Sequence, residues 1–206
     1  MLEVITPAEE TALTTLAAVK AELGITGTDQ DDRLGALIDQ YSAVIVAWCG
    51  RPFALETVRE TIYEPRQVDA LMLQRFPVVS VASVEIDGAL IAPEGYAVDR
   101  IGGIVHRRSP TRCGPFWPRG ETVIEYQAGY ILPDDEDRTL PHDIERAAIM
   151  LVKSAHFATA RDPALRSEET DGVATFQYFG SNGAGSDGMP LEVQGLLSGY
   201  RAPGVA

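Results

Sequence analysis

The glycine-rich segment 183–188 is the residue pattern that most resembles a cofactor site. Its letters, Gly-Ala-Gly-Ser-Asp-Gly, match the GxGxxG motif. In dinucleotide-binding folds this turn follows a hydrophobic strand and opens a helix, whose N-terminus holds the pyrophosphate. Here no hydrophobic strand leads into the segment, and too few residues follow it to supply an acidic ribose ligand. We therefore interpret the segment as a linker and predict no cofactor.

Acidic residues and histidines also lack the spacing of a catalytic or metal site. The acidic run 134–137 has neither the alternating oxygen ligands nor the central glycine of a calcium loop. His142 and His156 are fourteen positions apart, not the three or four that bring two imidazoles together on a helix face, and His106 lies in a predicted strand. The chain has no HExxH, GxSxG, P-loop or Cys-x-x-Cys motif. We predict no catalytic and no metal-binding residue, although a triad of distant residues stays an alternative because triads are spatial arrangements.

The charge balance argues against a protein that grips nucleic acid. The chain has 206 residues, of which 30 are acidic and 17 basic, for a net charge of −13. Proteins that bind phosphates need a basic surface, since release of condensed counterions drives their affinity. The composition is 45% apolar, which is typical of a globular protein. With two distant cysteines and no apolar run long enough to span a bilayer, the sequence indicates a protein made in a reducing cytoplasm and not inserted in a membrane.

One basic and aromatic stretch stands out from this acidic background. Its residues could stack on bases, form an exposed loop at the tip of a sheet, or contact another protein. We favour the protein interface because arginine and tryptophan are enriched at interaction hot spots. The predicted interface residues of the stretch are Arg107, Arg108, Arg112, Phe116 and Trp117.

Hydrophobic spacing predicts two long helices and two short ones. A short helix over about 15–23 precedes a long helix that ends at Gly50, where glycine suits a left-handed cap. A second long helix follows Pro141, and an amphipathic turn or two begins at Pro190. The buried stripe of the first long helix consists of Leu34, Leu37, Ile38, Tyr41, Ile45 and Trp48, and that of the second consists of Ile144, Ala147, Ala148, Leu151, Val152 and Ala155.

The block between the two long helices is predicted to form strands. Asp87-Gly88 and Gly102-Gly103 each mark a tight hairpin turn. Repeated prolines favour a small antiparallel sheet with edges over a parallel one. We predict an α+β fold, in which a helical bundle contains an inserted antiparallel β domain. The predicted segments are an extended arm (1–14), the first helical part (15–54), the β domain (55–130), the second helical part (131–162), a flexible Gly/Ser-rich loop (163–189), and a terminal helix with a tail (190–206).

The order of several short motifs resembles the head–tail connector (adaptor) proteins of long-tailed bacteriophages and of phage-derived gene transfer agents. The resemblance covers about residues 15–201 and depends on the order and spacing of its pieces. The matching pieces are Thr15-Leu16-Ala17-Ala18-Val19-Lys20, Asp31-Asp32-Arg33-Leu34, Trp48-Cys49-Gly50-Arg51-Pro52, Phe76-Pro77-Val78-Val79-Ser80-Val81, Asp87-Gly88, Tyr96-Ala97-Val98-Asp99, Glu125-Tyr126-Gln127-Ala128-Gly129-Tyr130, Ser167-Glu168-Glu169-Thr170-Asp171-Gly172 and Leu196-Leu197-Ser198-Gly199-Tyr200-Arg201.

The resemblance implies a structural subunit without catalytic activity. In that family about twelve copies form a closed ring below the portal protein, with a stopper or tail-side neck protein beneath. DNA passes through the ring without specific binding, and an acidic bore suits that role. The expected location is the neck of a virion or phage-like particle assembled in a bacterial cytoplasm. The residues expected to meet the portal are Leu191, Val193, Leu196, Leu197, Tyr200 and Arg201.

Three other interpretations stay open at this stage. A tail-completion or stopper protein of the same neck region has similar sequence features. A small cytoplasmic enzyme with an unmarked active site would depend on one of the three histidines. A nucleic-acid-binding module would use the stretch 107–119 and would bind less tightly as salt increases.

Overall fold

The computed structural model describes residues 1–108, 116–158, 167–170, 174–177 and 189–202. The chain forms two compact units, and each combines two separate stretches of sequence. The sheet unit comprises Met1–Glu10 and Pro52–Ile131, and the helical unit comprises Thr11–Arg51 and Leu132–Ala206. The predicted α+β class, with helices and antiparallel sheets, is confirmed.

The sheet unit contains a five-stranded and a three-stranded antiparallel sheet. The larger sheet has the order β1-β2-β8-β4-β5, and the smaller has the order β3-β7-β6. The strands are β1 (Leu2–Thr6), β2 (Glu56–Glu64), β3 (Ala70–Met72), β4 (Val78–Ile86), β5 (Ala89–Leu90), β6 (Tyr96–Asp99), β7 (Ile104–Arg107) and β8 (Gly120–Ala128).

Period-two alternation explains the core of this unit. In β8, Ile124, Tyr126 and Ala128 are buried on one face while Gln127 is exposed, as the sequence pattern predicts. Residues of both sheets form one hydrophobic cluster with them. That cluster includes Val58, Leu71, Leu73, Val78, Val84, Val105 and Trp117.

A buried carboxyl group ties the loop after β3 to the larger sheet. The Glu60 side chain is 2% exposed, and its Oε2 accepts hydrogen bonds from the Tyr126 hydroxyl at 2.7 Å and the Gln74 N–H at 3.1 Å. The Arg75 N–H donates to the Tyr126 hydroxyl at 3.2 Å. Burial, followed by the contact with Glu60, raises the pKa of Tyr126 above its ordinary value. These bonds satisfy buried polar groups and so specify one arrangement of the core.

The N-terminal residues are part of a sheet. Within the segment 1–14, which the sequence analysis treats as an extended arm, β1 pairs antiparallel with β2, so that Leu2 faces Glu60 and Val4 faces Val58. The β domain therefore takes a strand from outside the predicted range 55–130. The pairing joins strands that are far apart in sequence, and no local pattern marks it.

The helical unit follows the predicted caps closely. Helix α1 (Leu16–Leu23) begins at Thr15, whose Oγ1 accepts the Ala18 N–H at 3.1 Å, and it ends at the left-handed Gly24. Helix α2 (Asp31–Cys49) ends at Gly50, which is also left-handed. Helices α3 (His142–Ala158) and α4 (Leu191–Leu197) complete the unit.

The helices pack around a small apolar core, and a charged contact joins α1 to α3. Val19, Leu34, Ile38 and Val152 bring α1, α2 and α3 together. Glu22 accepts hydrogen bonds from Lys153 at 2.7 Å and from Arg146 at 3.0 Å. These bonds hold the pKa of Glu22 below its ordinary value. The contact connects α1 to α3 at the surface.

Two predictions on the helical unit need adjustment. Trp48, predicted in the buried stripe of α2, is half-buried, as are Leu37 and Tyr41 of the same stripe. The predicted loop 163–189 lies largely outside the described residues, but within it β9 (Ser167–Thr170) and β10 (Ala174–Gln177) pair antiparallel. Among the described residues, no helix is both long and apolar enough to cross a bilayer.

Candidate interaction surfaces

The helical unit has an apolar groove beside α2. The groove has a volume of about 340 Å³, and Trp48 at its wall buries its indole Nε1 without a hydrogen-bond partner in the described part of the chain. The Arg201 guanidinium lies over the Trp48 ring at 4.6 Å, within range of a cation–π contact. The groove is lined by Tyr41, Val44, Ala47, Trp48, Leu151, Met189 and Pro190.

The predicted portal-facing residues separate into buried and exposed groups. Val193 and Leu197 are buried inside the helical unit, so their side chains serve the fold of the single chain. Leu191 is 63% exposed, Arg201 is exposed, and Leu196 and Tyr200 are half-buried. The Ala202 N–H donates to the Cys49 carbonyl at 2.7 Å, which fixes the chain after α4 onto the end of α2.

The predicted basic and aromatic interface residues also separate. Trp117 is 0% exposed, and its Nε1–H donates to the Val105 carbonyl at 2.9 Å, which makes it a core residue of the sheet unit. Arg107 Nη1 donates to the Gly95 carbonyl at 2.7 Å and lies 5.9 Å from the Trp117 ring centre. Arg108 and Phe116 are exposed, whereas Arg112 lies outside the described residues. Residue type alone could not separate the buried tryptophan from an exposed hot spot.

A second groove lies in the sheet unit, between β4 and β6. Its volume is about 360 Å³, and the side chains of Arg100 and Arg108 line it. No sequence pattern marks Arg100, because it stands alone after β6, away from the basic stretch. Arg100 and Arg108 line the same groove because β6 and β7 are neighbours in the smaller sheet, and the register places them towards opposite ends of β6.

Metal-ligating side chains are not brought together in the described residues. No group of three or more His, Cys, Asp and Glu side chains is placed to hold a metal ion there. Cys49 is buried with a free thiol, and burial raises its pKa to about 11. Cys113 lies outside the described residues.

The Cys49 thiol is expected to resist labelling while the protein is folded. In a Cys113→Ser variant, Cys49 is the remaining cysteine. Because its pKa rises from 9.0 to about 11, the reactive thiolate should be about 100-fold scarcer at pH 8 than in the unfolded chain. The rate of reaction with Ellman's reagent, with and without concentrated guanidinium, measures this difference. Equal rates in the two conditions would contradict the buried placement.

Comparisons with known proteins identify a family over almost the whole chain. The model of the head completion protein family matches residues 12–202. A comparison with curated proteins finds no match. Among solved structures, a chain in the virion of a native gene transfer agent particle is 21% identical, with a TM-score of 0.60, over 100% of this chain and 97% of that chain.

Chains from two structures of particle necks have similar scores. One comes from the neck of an empty gene transfer agent particle computed with C6 symmetry (20% identity, TM-score 0.59), and the other from the neck of a native particle computed with C12 symmetry (21%, 0.56). Each match covers 100% of this chain and 97% of the other. At these identities the likeness establishes a shared fold. The family model matches residues 12–202, and the shared fold agrees with that match: this chain belongs to the head completion protein family.

Proposed function

We propose that this protein is a ring-forming structural subunit of the neck of a phage-like particle, which joins the portal to the tail and extends the DNA channel. The observation that carries the proposal is the similarity of the whole fold to chains in gene transfer agent particles, two of them from necks. Each neck match covers 100% of this chain and 97% of the other, so the similarity extends over both the sheet unit and the helical unit. The role proposed is structural and assigns no reaction to the chain.

The proposed assembly is a closed ring of about twelve copies, in which each copy contacts the next through two different surfaces. The C12 symmetry used for one of the similar neck structures supports this number. The partners on either side of the ring are the portal protein and a stopper or tail-side neck protein. The net charge of −13 supports passage of DNA through the ring, because a negative bore repels phosphates.

The adaptor position, directly below the portal, is preferred to the stopper position. Its proposed portal contact uses the exposed residues at the end of the helical unit, namely Leu191 and Arg201, with Tyr200 beside them. Leu191 is 63% exposed and follows Pro190, which lines the apolar groove, so a partner covering this end of the groove would also remove the leucine side chain from water. Val193 and Leu197 are excluded from the contact because they are buried in the helical unit.

Electron microscopy of the purified protein, alone and mixed with purified portal, tests the proposed function. We expect rings of the protein, or an added layer on one end of the portal. A protein that stays monomeric and leaves the portal unchanged would overturn the proposal. A protein that forms rings alone but adds no layer to the portal would assign the chain to the stopper position.

Replacing Leu191 with aspartate is expected to weaken binding to the portal by at least about tenfold, since it puts a charge in an apolar contact. Truncation of the chain after 188 is a poorer test because it removes Val193 and Leu197 from the helical core. Leu90→Asp is the matched control, because Leu90 is also an exposed leucine but lies on β5 of the sheet unit. Affinities from biolayer interferometry, with circular dichroism to confirm folding, give the comparison. Equal losses for the two variants would remove Leu191 from the portal contact.

A further inference from the structure

The groove between β4 and β6 is bordered by two open sheet edges. Along its length β4 pairs with β8 on one side, but on the other side it pairs with β5 only at Glu85 and Ile86. In the described chain β6 has β7 as its one strand partner. The Val78 N–H donates to the Arg100 carbonyl at 2.7 Å and closes one end of the groove. Between these edges the groove of about 360 Å³ is open to solvent from the side.

Two arginines give this groove a positive charge, and neither is held in an ion pair among the described residues. Arg100 and Arg108 line the groove, are exposed, and have no ion pair there. Other arginines of the same chain do have partners, such as Arg59 with Glu125 at 2.9 Å and Arg146 with Glu22 at 3.0 Å. Guanidinium groups offer several donors in a planar fork that matches carboxylates. The groove is therefore suited to an acidic segment of another molecule.

The acidic loop 134–137 of the helical unit carries the opposite charge to the groove. Asp134, Asp135, Glu136 and Asp137 are all exposed, and none of them forms an ion pair within the described chain. Its one side-chain hydrogen bond is internal, from the Asp137 N–H to Asp135 Oδ1 at 3.0 Å. Four consecutive like charges repel one another, so a pair of guanidinium groups from outside the loop would stabilise it.

We propose that the acidic loop of one copy docks into the Arg100/Arg108 groove of the next copy and thereby forms part of the contact between neighbours in the ring. The inference rests on the proposed function, because it needs a repeating assembly. A closed ring requires two different, complementary surfaces on every chain, and these two oppositely charged features meet that requirement. Charge complementarity also favours the correct register over contact between like surfaces.

Charge reversal in separate chains tests this pairing. One variant carries Arg100→Glu and Arg108→Glu, and a second carries Asp134→Lys and Asp135→Lys. We expect each variant alone to need at least about tenfold more protein for half-assembly than the wild type. An equimolar mixture should recover assembly, because alternating copies then place lysine beside glutamate at one contact and aspartate beside arginine at the next.

The control variant carries Arg33→Glu and Arg66→Glu at two exposed arginines outside the groove, and it changes the net charge by the same amount as the Arg100→Glu, Arg108→Glu variant. It should assemble like the wild type. Native mass spectrometry and negative-stain microscopy at low salt measure assembly. If the wild-type protein does not assemble alone, the same measurements are made on portal rings. Circular dichroism verifies that each variant is folded.

The two proposals fail in different ways. Reversed variants that assemble as readily as the wild type would overturn the loop–groove contact and leave the proposed function standing. A third variant carries all four reversals in one chain. If that variant assembles but the equimolar mixture does not, the loop and the groove pair within one chain, and the proposed contact between copies is overturned. A wild-type protein that assembles neither alone nor on the portal would overturn the proposed function, and this contact with it.

Discussion

Replacement of Trp117 by alanine is expected to lower the free energy of unfolding by about 3–5 kcal/mol. The indole is the largest fully buried side chain of the described residues and packs with Val105 in the core of the sheet unit. Its loss leaves a cavity, removes the hydrogen bond to the Val105 carbonyl, and removes the ring beneath Arg107. Chemical denaturation followed by far-UV circular dichroism measures the change.

Two matched variants separate the causes of this effect. Trp117→Phe keeps an aromatic ring but not the indole N–H, so we expect a smaller loss of stability. Phe116→Ala changes the neighbouring residue, which is exposed, and should alter stability by less than about 0.5 kcal/mol. A Trp117→Ala protein as stable as Phe116→Ala would show that Trp117 is not a core residue.

Replacement of Gly129 by alanine is expected to destabilise the sheet unit by about 3 kcal/mol or more. Gly129 has φ +116°, and a Cβ built on it would lie 2.2 Å from the Ala54 carbonyl oxygen. That oxygen belongs to the backbone, so no side-chain rotation can relieve the clash. The same residue donates its N–H to the Pro77 carbonyl at 2.9 Å, so a shift of the backbone would also disturb the start of β4.

Gly88→Ala is the control for the effect of backbone conformation alone. Gly88 has φ +78°, but a Cβ there would have no neighbour within 4 Å. We expect a loss of about 1 kcal/mol at Gly88. Thermal melting of both variants by circular dichroism gives the comparison, and similar losses would mean that the close approach to Ala54 costs nothing.

Local features of the sequence predicted the helices and part of the sheet. Thr15 and Gly50 mark helix ends because capping depends on neighbouring residues. The alternation in β8 likewise identifies its buried face before any partner strand is known. These signals act within a few residues, so they can be read from one stretch of chain.

The interaction surfaces depended on contacts that the sequence does not display. Arg100 joins Arg108 in one groove only because β6 and β7 pair, and β1 joins the sheet only because it meets β2. Trp117 and Phe116 are adjacent aromatic residues with opposite burial, which residue type cannot distinguish. Of the predicted interface residues, Arg108 and Phe116 therefore lie on the surface, whereas Trp117 lies in the core.

The interleaving of the two units in sequence sets an order for their completion on the ribosome. All strands of the sheet unit have been synthesised once Ile131 has been added, whereas the helical unit still lacks α3 and α4. Leu34 and Ile38 on α2 must wait for Val152 of α3 before their apolar face is covered. We expect the sheet unit to fold first during translation, with α2 exposed to chaperones until the last part of the chain emerges.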